Sequence, residues 1–455
     1  AVGDTYQVTL QTDPTMGDIE IPKNVVKVIP GDSTYMLTSD GELYGCGDNR
    51  YGQMGNGTTD NVLTPVQIGE NLGKITDAYS SSNFILFLTE DGDLFGSGRN
   101  RYGTLGTGTT DNVLTPVQIG ANLGAIKKVF WSVSLFFQTE DGKTYFSGRN
   151  DIGQFGNGTT TNVLTPTEFV FSAGTISNIV TDGVTVIQTS DGKLYGMGRN
   201  SFDVLGTGNT DNVLTPTEIN TSFGAVSSFK ASYFNIYATT SDGKLYGCGD
   251  NSAGQLGQGN TTSSNTFVQI GSQLGNIDEF EIPSSRILYI KTADGKYYGC
   301  GDNRYGQMGN GTEESILTPY WINESIGSVK KAVLQSNCVF MLNTDDELYG
   351  AGRNDVYHFS PDQTSNITTL TRVGSNLDGI SDVFATNNGL FVKSSDNWLV
   401  CGANHNGELG LGNMNMVTEL TYNKSVPRNV ESYVSDSNHN YLITPEGKVY
   451  VAGQN

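Results

Sequence analysis

The sequence predicts an all-β fold, a β-propeller of blades of about fifty residues, and three observations carry that prediction. One sentence of residues recurs along the whole chain, each copy reads as roughly four short strands, and no window places apolar residues at helical spacing. A fixed period makes each copy one supersecondary unit that buries its apolar face only against its neighbours. The acidic residue before a motif glycine marks the register at Asp40, Asp91, Asp141, Asp191, Asp242, Asp294, Asp345, Asp396 and Glu446, at intervals of 50–52 residues. No interval leaves room for an insertion, so the ring is expected to be undecorated.

The second copy shows the grammar. Asn83-Phe84-Ile85-Leu86-Phe87-Leu88 is apolar and aromatic and reads as a strand. Glu90-Asp91-Gly92-Asp93 is a tight turn in which glycine supplies positive φ. Leu94-Phe95-Gly96-Ser97-Gly98 returns as the next strand, its glycines implying close backbone approach. Arg99 to Gly103 turns again, and Gly106 to Asn112 forms a loop. Leu114-Thr115-Pro116-Val117-Gln118-Ile119 closes the unit as an edge strand, where proline spares an amide.

The pattern Asp-Gly-x-Leu-Tyr-Gly-x-Gly-x-Asn-x-x-Gly-Gln-x-Gly runs from Asp40 to Gly55 and from Asp242 to Gly257, and from Asp294 to Gly309 with Tyr297 in the leucine place. At these residues the chain resembles the RCC1 (regulator of chromosome condensation) repeat family, over about residues 25–455. The resemblance implies a β-propeller; familiar members have seven blades, whereas nine markers are present, so seven to nine are expected. The histidine that family repeats often carry seven residues before the marker survives only as His439; Ser33, Ser134 and Asn235 stand in three of the other places. Repeat four has Asp203 where the motif has glycine, and repeat seven replaces the second half with Asp355-Val356-Tyr357-His358-Phe359-Ser360-Pro361. That repeat is expected to be the weak blade, nicked by proteases near Val356–Thr368. Residues 1–18 are expected to be a linker or strand and residues 19–455 the propeller. Gly17 to Pro22 looks like an outer strand that completes the last blade, so that N- and C-terminal segments close the ring.

Composition bounds the function. The formal net charge of -21 opposes nucleic-acid phosphates, which are bound mainly by Lys and Arg, so no nucleic-acid partner is expected. The charged fraction is only 16% and 58 residues are glycine, a polar, turn-rich style that points to an extracellular, cell-surface or virion setting, with the cytoplasm as the alternative. No membrane insertion is expected, and the start at Ala1 suggests processing or excision from a longer protein. Cys46, Cys248, Cys300 and Cys401 share a slot that elsewhere holds Ser, Ala or Met, so they read as buried free thiols; Cys248 and Cys300 are the pair worth testing for a disulfide. No Cys-x-x-Cys pair, phosphate loop or calcium loop is present, and His358, His405 and His439 share no slot, so neither metal nor cofactor is expected. The Asn-Gly-Thr sequences at Asn56, Asn157 and Asn310 read as turns before they read as glycosylation sites.

The slot before the motif asparagine holds Asp48, Arg99, Arg149, Arg199, Asp250, Asp302, Arg353 and Ala403. Equivalent slots line one rim, so Arg99, Arg149 and Arg199 are expected side by side, either as inter-blade ion pairs or as a face for a carboxylate-bearing partner. Phe130, Trp131, Tyr233 and Phe234 fall where other copies carry small polar residues, and are either core or contact residues. Trp321 is expected to cover a blade edge and Trp398 to be core. No catalytic constellation can be read from spacing. The expectation is a non-enzymatic interaction or structural module holding a protein or glycan partner on one face, as part of a larger assembly. The alternative, implied by the resemblance, is a guanine-nucleotide exchange factor for a small GTPase; such members act through a wedge for which the even spacing leaves no room.

Overall fold

A computed structural model describes residues 6–8, 19–21 and 24–453, apart from 82, 133, 360–363, 376, 378, 387 and 436–438. Nine antiparallel sheets follow one another along the chain, eight with four strands and the ninth with three among the described residues. Blade two is typical: Ile75–Ser80, Phe84–Thr89, Leu94–Gly98 and Val113–Ile119, hydrogen-bonded in chain order. First strands of neighbouring blades approach one another, as Ile126–Trp131 does Ile176–Asp182, so they form the inner wall. Fourth strands form the outer perimeter. Nine blades settle the count at the upper end of the expected range.

Burial on both faces explains the packing. Second and third strands lie in mid-sheet with both faces covered, so Phe84–Thr89 and Leu94–Gly98 are nearly continuous in apolar or small residues. Each core is shared by two blades: Phe84, Leu86, Leu94 and Ile119 of blade two pack with Ile126, Leu135 and Phe137 of blade three. A fully buried phenylalanine such as Phe137 contributes about 3 kcal/mol, and it is delivered only when the neighbour is present.

The loop after each third strand grips the next blade. The Gly57 amide donates to the Leu114 carbonyl at 2.8 Å, and the same bond joins Gly108 to Leu164, Gly158 to Leu214 and Gly259 to Leu317. A Cβ on Gly55 would lie 2.9 Å from Pro116, so the outer-strand proline seats on a glycine of the preceding blade. The buried motif asparagine holds that loop. Asn150 accepts from the Phe155 amide through its Oδ1 and donates to the Thr159 and Thr161 carbonyls.

The ring closes between the ninth and first blades. The Val25 amide donates to the Gly447 carbonyl at 3.1 Å, as Ile75 does to Gly41 and Ile126 to Gly92. Val25, Val28 and Met36 share a buried cluster with Tyr441, Ile443 and Val449. N- and C-terminal segments therefore do meet, but the closing contact differs in detail from the expectation. Ile19–Ile21 pairs with Tyr6–Val8 rather than forming a ladder with Val449–Gly453 of blade nine. Gly17, Asp18 and Pro22 lie outside the described residues. No helix among the described residues is long and apolar enough to cross a membrane.

Repeat seven keeps the start of the turn over Asp355 to Phe359 although its residues depart from the motif. Tyr357 takes the glycine position at φ +59°, His358 fills the buried slot that glutamine holds elsewhere, and Phe359 stacks on Phe340 at 4.9 Å. Trp398 is buried, as expected; Trp321 is half-buried on the fourth strand Ile316–Trp321, its indole N–H donating to Asn323. All five cysteines are free, and burial pushes the Cys248 and Cys300 thiols up to about 12.

Candidate functional site: an arginine and tyrosine face

The turn between first and second strands and the loop after the third strand emerge on the same face. The Arg99 amide donates to the Asn83 carbonyl at 2.8 Å, Arg199 to Gly183 at 3.2 Å and Asp250 to Phe234 at 3.0 Å. Ser33, Ser134 and Asn235, in the slot where family repeats carry histidine, donate to the carbonyls of Asp48, Arg149 and Asp250. Side chains in the rim slot therefore leave a backbone fixed at both ends.

Cations sort between the two faces. Of ten arginines, Arg50, Arg99, Arg101, Arg149, Arg199, Arg286, Arg304 and Arg353 stand on this face, and only Arg372 and Arg428 do not. Lysines stand in the hairpin turns of the opposite face, where Lys143 pairs with Glu168, Lys193 with Glu218, Lys244 with Asp242 and Lys296 with Asp294, and others line the first strands, as Lys27, Lys128 and Lys230 do. On the arginine face Asp48, Asp151, Asp302 and Asp355 pair with Arg50, Arg149, Arg304 and Arg353. The hydrogen bond from Arg149 holds Asp151 below the usual carboxylate range, against its partial burial. Among the described residues Arg99, Arg101, Arg199 and Arg286 have no carboxylate partner.

Tyrosines hold the rim guanidinium groups flat. Arg99 lies over Tyr51 at 5.0 Å and Arg149 over Tyr102 at 5.3 Å, each ring coming from the preceding blade. Such contacts contribute roughly 0.5–1 kcal/mol apiece and leave the N–H edge of the guanidinium free. Arg199 differs. Ile152 stands where the preceding blade offers tyrosine elsewhere, and Arg199 lies instead over Tyr233 of the following blade at 4.6 Å. Tyr233 and Phe234 meet edge to face at 5.6 Å, and Phe234 meets Phe202 at 5.6 Å.

The predicted residues thus divide. Arg99, Arg149 and Arg199 sit on successive blades, but their contacts between blades are stacking ones rather than ion pairs, the ion pair of Arg149 with Asp151 lying within one turn; Tyr233 and Phe234 join Arg199. Phe130 and Trp131 are half-buried; Trp131 packs edge-on against Phe84 at 6.1 Å, away from that group. Reading by slot missed Tyr51, Tyr102 and Phe202. A signal was present, because aromatic residues recur three positions after the rim slot at Tyr51, Tyr102, Phe202 and Tyr305. No group of three or more metal-ligating side chains occurs among the described residues.

Comparison with known proteins agrees with this architecture. Models of the regulator of chromosome condensation (RCC1) repeat match residues 40–88, 91–132, 191–233 and 294–338, and a second model of that repeat matches residues 75–104 and 226–255. Human Protein RCC2 is 40% identical over 96 residues, 21% of this chain and 18% of that protein. The Ultraviolet-B receptor UVR8 of Arabidopsis thaliana is 34% identical over 102 residues, 22% of this chain and 23% of that protein. The matched segment therefore spans about a fifth of the length of these relatives. Among solved structures, human WBSCR16 superposes with a TM-score of 0.52 at 19% identity, covering 70% of this chain and 86% of that one. Prp20p from Saccharomyces cerevisiae, described with its binding to Gsp1p and histones, gives 0.51 at 16% identity over 74% and 87%. At these identities the likeness is one of fold. With the repeat grammar and the ring in agreement with the repeat models, the chain is an RCC1-like propeller that carries RCC1 repeats within residues 40–132, 191–255 and 294–338.

Proposed function

We propose that this propeller is a non-enzymatic interaction module that docks a protein partner on its arginine face. The observation that carries the reading is the set of unpaired, tyrosine-backed guanidinium groups on one face of a chain whose net charge is -21. A planar fork of donors suits carboxylates, which favours a protein over a neutral glycan. Five unpaired thiols support a reducing, cytoplasmic setting over the extracellular or virion one. The test is cross-linking with mass spectrometry in the native cell extract, comparing the chain with an Arg99→Gln, Arg199→Gln double variant and with Lys193→Ala on the opposite face. Loss of the same cross-linked protein in the double variant alone supports the reading; its retention overturns it.

A second reading, exchange of guanine nucleotide on a small GTPase, draws on the fold likeness to Prp20p and that protein's binding to Gsp1p. The expected result in a nucleotide-release assay against a panel of small GTPases is no acceleration. Acceleration by any one of them replaces the first reading with the second.

A further inference from the structure

We infer that the seam between blades four and five is an anchor site for an acidic protein segment carrying a large apolar side chain beside its carboxylates. The inference rests on the docking role proposed for this face and names the chemistry its partner brings.

Departures from the repeat converge at this seam. Phe202 holds φ +62° and Asp203 φ +53°, in a place where most copies use glycine to turn. Left-handed backbone is unfavourable for phenylalanine, yet the ring is displayed rather than buried, with 44% of its surface exposed. Asp203 holds the turn. Its carboxylate accepts from the Thr207 and Gly208 amides at 2.7 Å each and from Asn265 of blade five at 3.2 Å. Burial pushes that carboxyl up, but these donors outweigh it and keep it below the usual range. In blade four the first turn ends in Gly183, where other copies have Asp32, Asn83, Phe234 or Asn337. A Cβ there would lie 2.9 Å from the Tyr233 ring. Glycine at this point lets Tyr233 cross the seam and lie beneath Arg199.

The result is a shallow platform with two chemistries. Phe202, Phe234 and Tyr233 give an apolar floor, and Tyr233 is 37% exposed. Arg199 gives the charge: no carboxylate pairs with it among the described residues, and its Nε is buried without a hydrogen-bond partner. A carboxylate docked end-on satisfies the fork, and an adjacent aromatic or aliphatic side chain covers the exposed ring. The same arrangement of aromatic and arginine anchors dominates binding energy in protein interfaces. Arg149, one blade away, is already neutralised by Asp151, so charge selection falls on Arg199.

The test uses the full chain and fluorescein-labelled hexapeptides, Glu-Asp-Glu-Phe-Asp-Glu against versions with lysine for each acid and with serine for phenylalanine, read by anisotropy. Saturable binding of the acidic aromatic peptide is expected at about 50 mM salt and should weaken at about 300 mM, while both altered peptides bind poorly. Arg199→Gln and Phe202→Gly should each weaken it by roughly tenfold or more, and Arg372→Gln on the outer strand should leave it unchanged. Glycine at 202 relieves the backbone strain, so loss of binding there is not loss of fold. Binding that resists both seam variants but falls with Arg99→Gln overturns the seam and leaves the face reading standing. Absence of binding to any peptide overturns the chemistry named here, and so does a dimer in sedimentation that Phe202→Gly dissolves.

Discussion

At the scale of single residues, the motif asparagine carries more structure than its place in a loop suggests. Asn49, Asn100, Asn150, Asn200, Asn251, Asn303 and Asn404 are all fully buried. Each accepts from the amide five residues on, at 2.8–2.9 Å, as with Met54, Leu105, Phe155, Leu205, Leu256, Met308 and Leu409. Each also donates to the carbonyl nine residues on, from Thr58 in the first blade to Asn413 in the eighth. One amide thus replaces the ladder that a loop lacks, which is why neither Asp nor Ser substitutes for it: one cannot donate and the other cannot reach. Asn150→Ala leaves the buried Phe155 amide unpaired and removes two part-buried hydrogen bonds to the Thr159 and Thr161 carbonyls, and should cost roughly 2–3 kcal/mol. The check is hydrogen exchange at the Phe155 amide together with the melting temperature. Exchange unchanged at that amide would show that water replaces the side chain.

At the scale of one element, the seventh loop shows how a motif can change its residues and keep its shape. In blades one, three, five and six a glutamine accepts the amide two residues before it: Gln53 from Tyr51, Gln154 from Ile152, Gln255 from Ala253 and Gln307 from Tyr305. His358 occupies this slot at 1% exposure with neither ring nitrogen in hydrogen-bonding geometry, although the Asn388 backbone approaches the ring. Burial lowers its pKa from 6.5 to about 4, and Arg353 nearby acts in the same direction. The unfolded chain therefore takes up this proton first. Stability should be constant above about pH 6.5, fall as pH drops from there to about 4, and level off below, a loss of up to about 3 kcal/mol. His358→Gln should accept the Val356 amide, raise the melting temperature and abolish this part of the acid sensitivity. A variant whose melting temperature falls with pH as steeply as the parent assigns the acid response elsewhere. The expected nicking between Val356 and Thr368 narrows accordingly: Tyr357 to Phe359 are held, and residues 360–363 lie outside the described ones.

At the scale of the whole molecule, the fold was legible because the repeat is regular, and the site was legible only as far as the repeat carried it. Arg99, Arg149 and Arg199 stand in one slot, so spacing alone placed them on one rim. Phe202 and Gly183 were not legible, because Phe202 meets Phe234 and Gly183 meets Tyr233 across the boundary between blades four and five, and spacing within a copy says nothing of neighbours across a seam. Closure is the same kind of fact. Nine markers admit an open arc as readily as a ring, and the distinction rests on the contact of Gly447 with the start of blade one. A Cβ on Gly447 would lie 2.5 Å from the Asn24 Cα, whereas one on Gly142, in the equivalent turn of blade three, would meet nothing within 4 Å. Both glycines have positive φ, +71° and +87°, so alanine carries the same backbone strain of roughly 1–2 kcal/mol at each. The difference between Gly447→Ala and Gly142→Ala therefore isolates the seam that closes the ring. Gly447→Ala should lower the melting temperature further, speed exchange at the Val25 amide and enlarge the radius of gyration in solution scattering. Since stability here is passed from blade to blade, opening that joint should loosen blades nine and one first and leave blade five unchanged. Equal effects from the two alanines would mean that the first and last blades stand apart in solution.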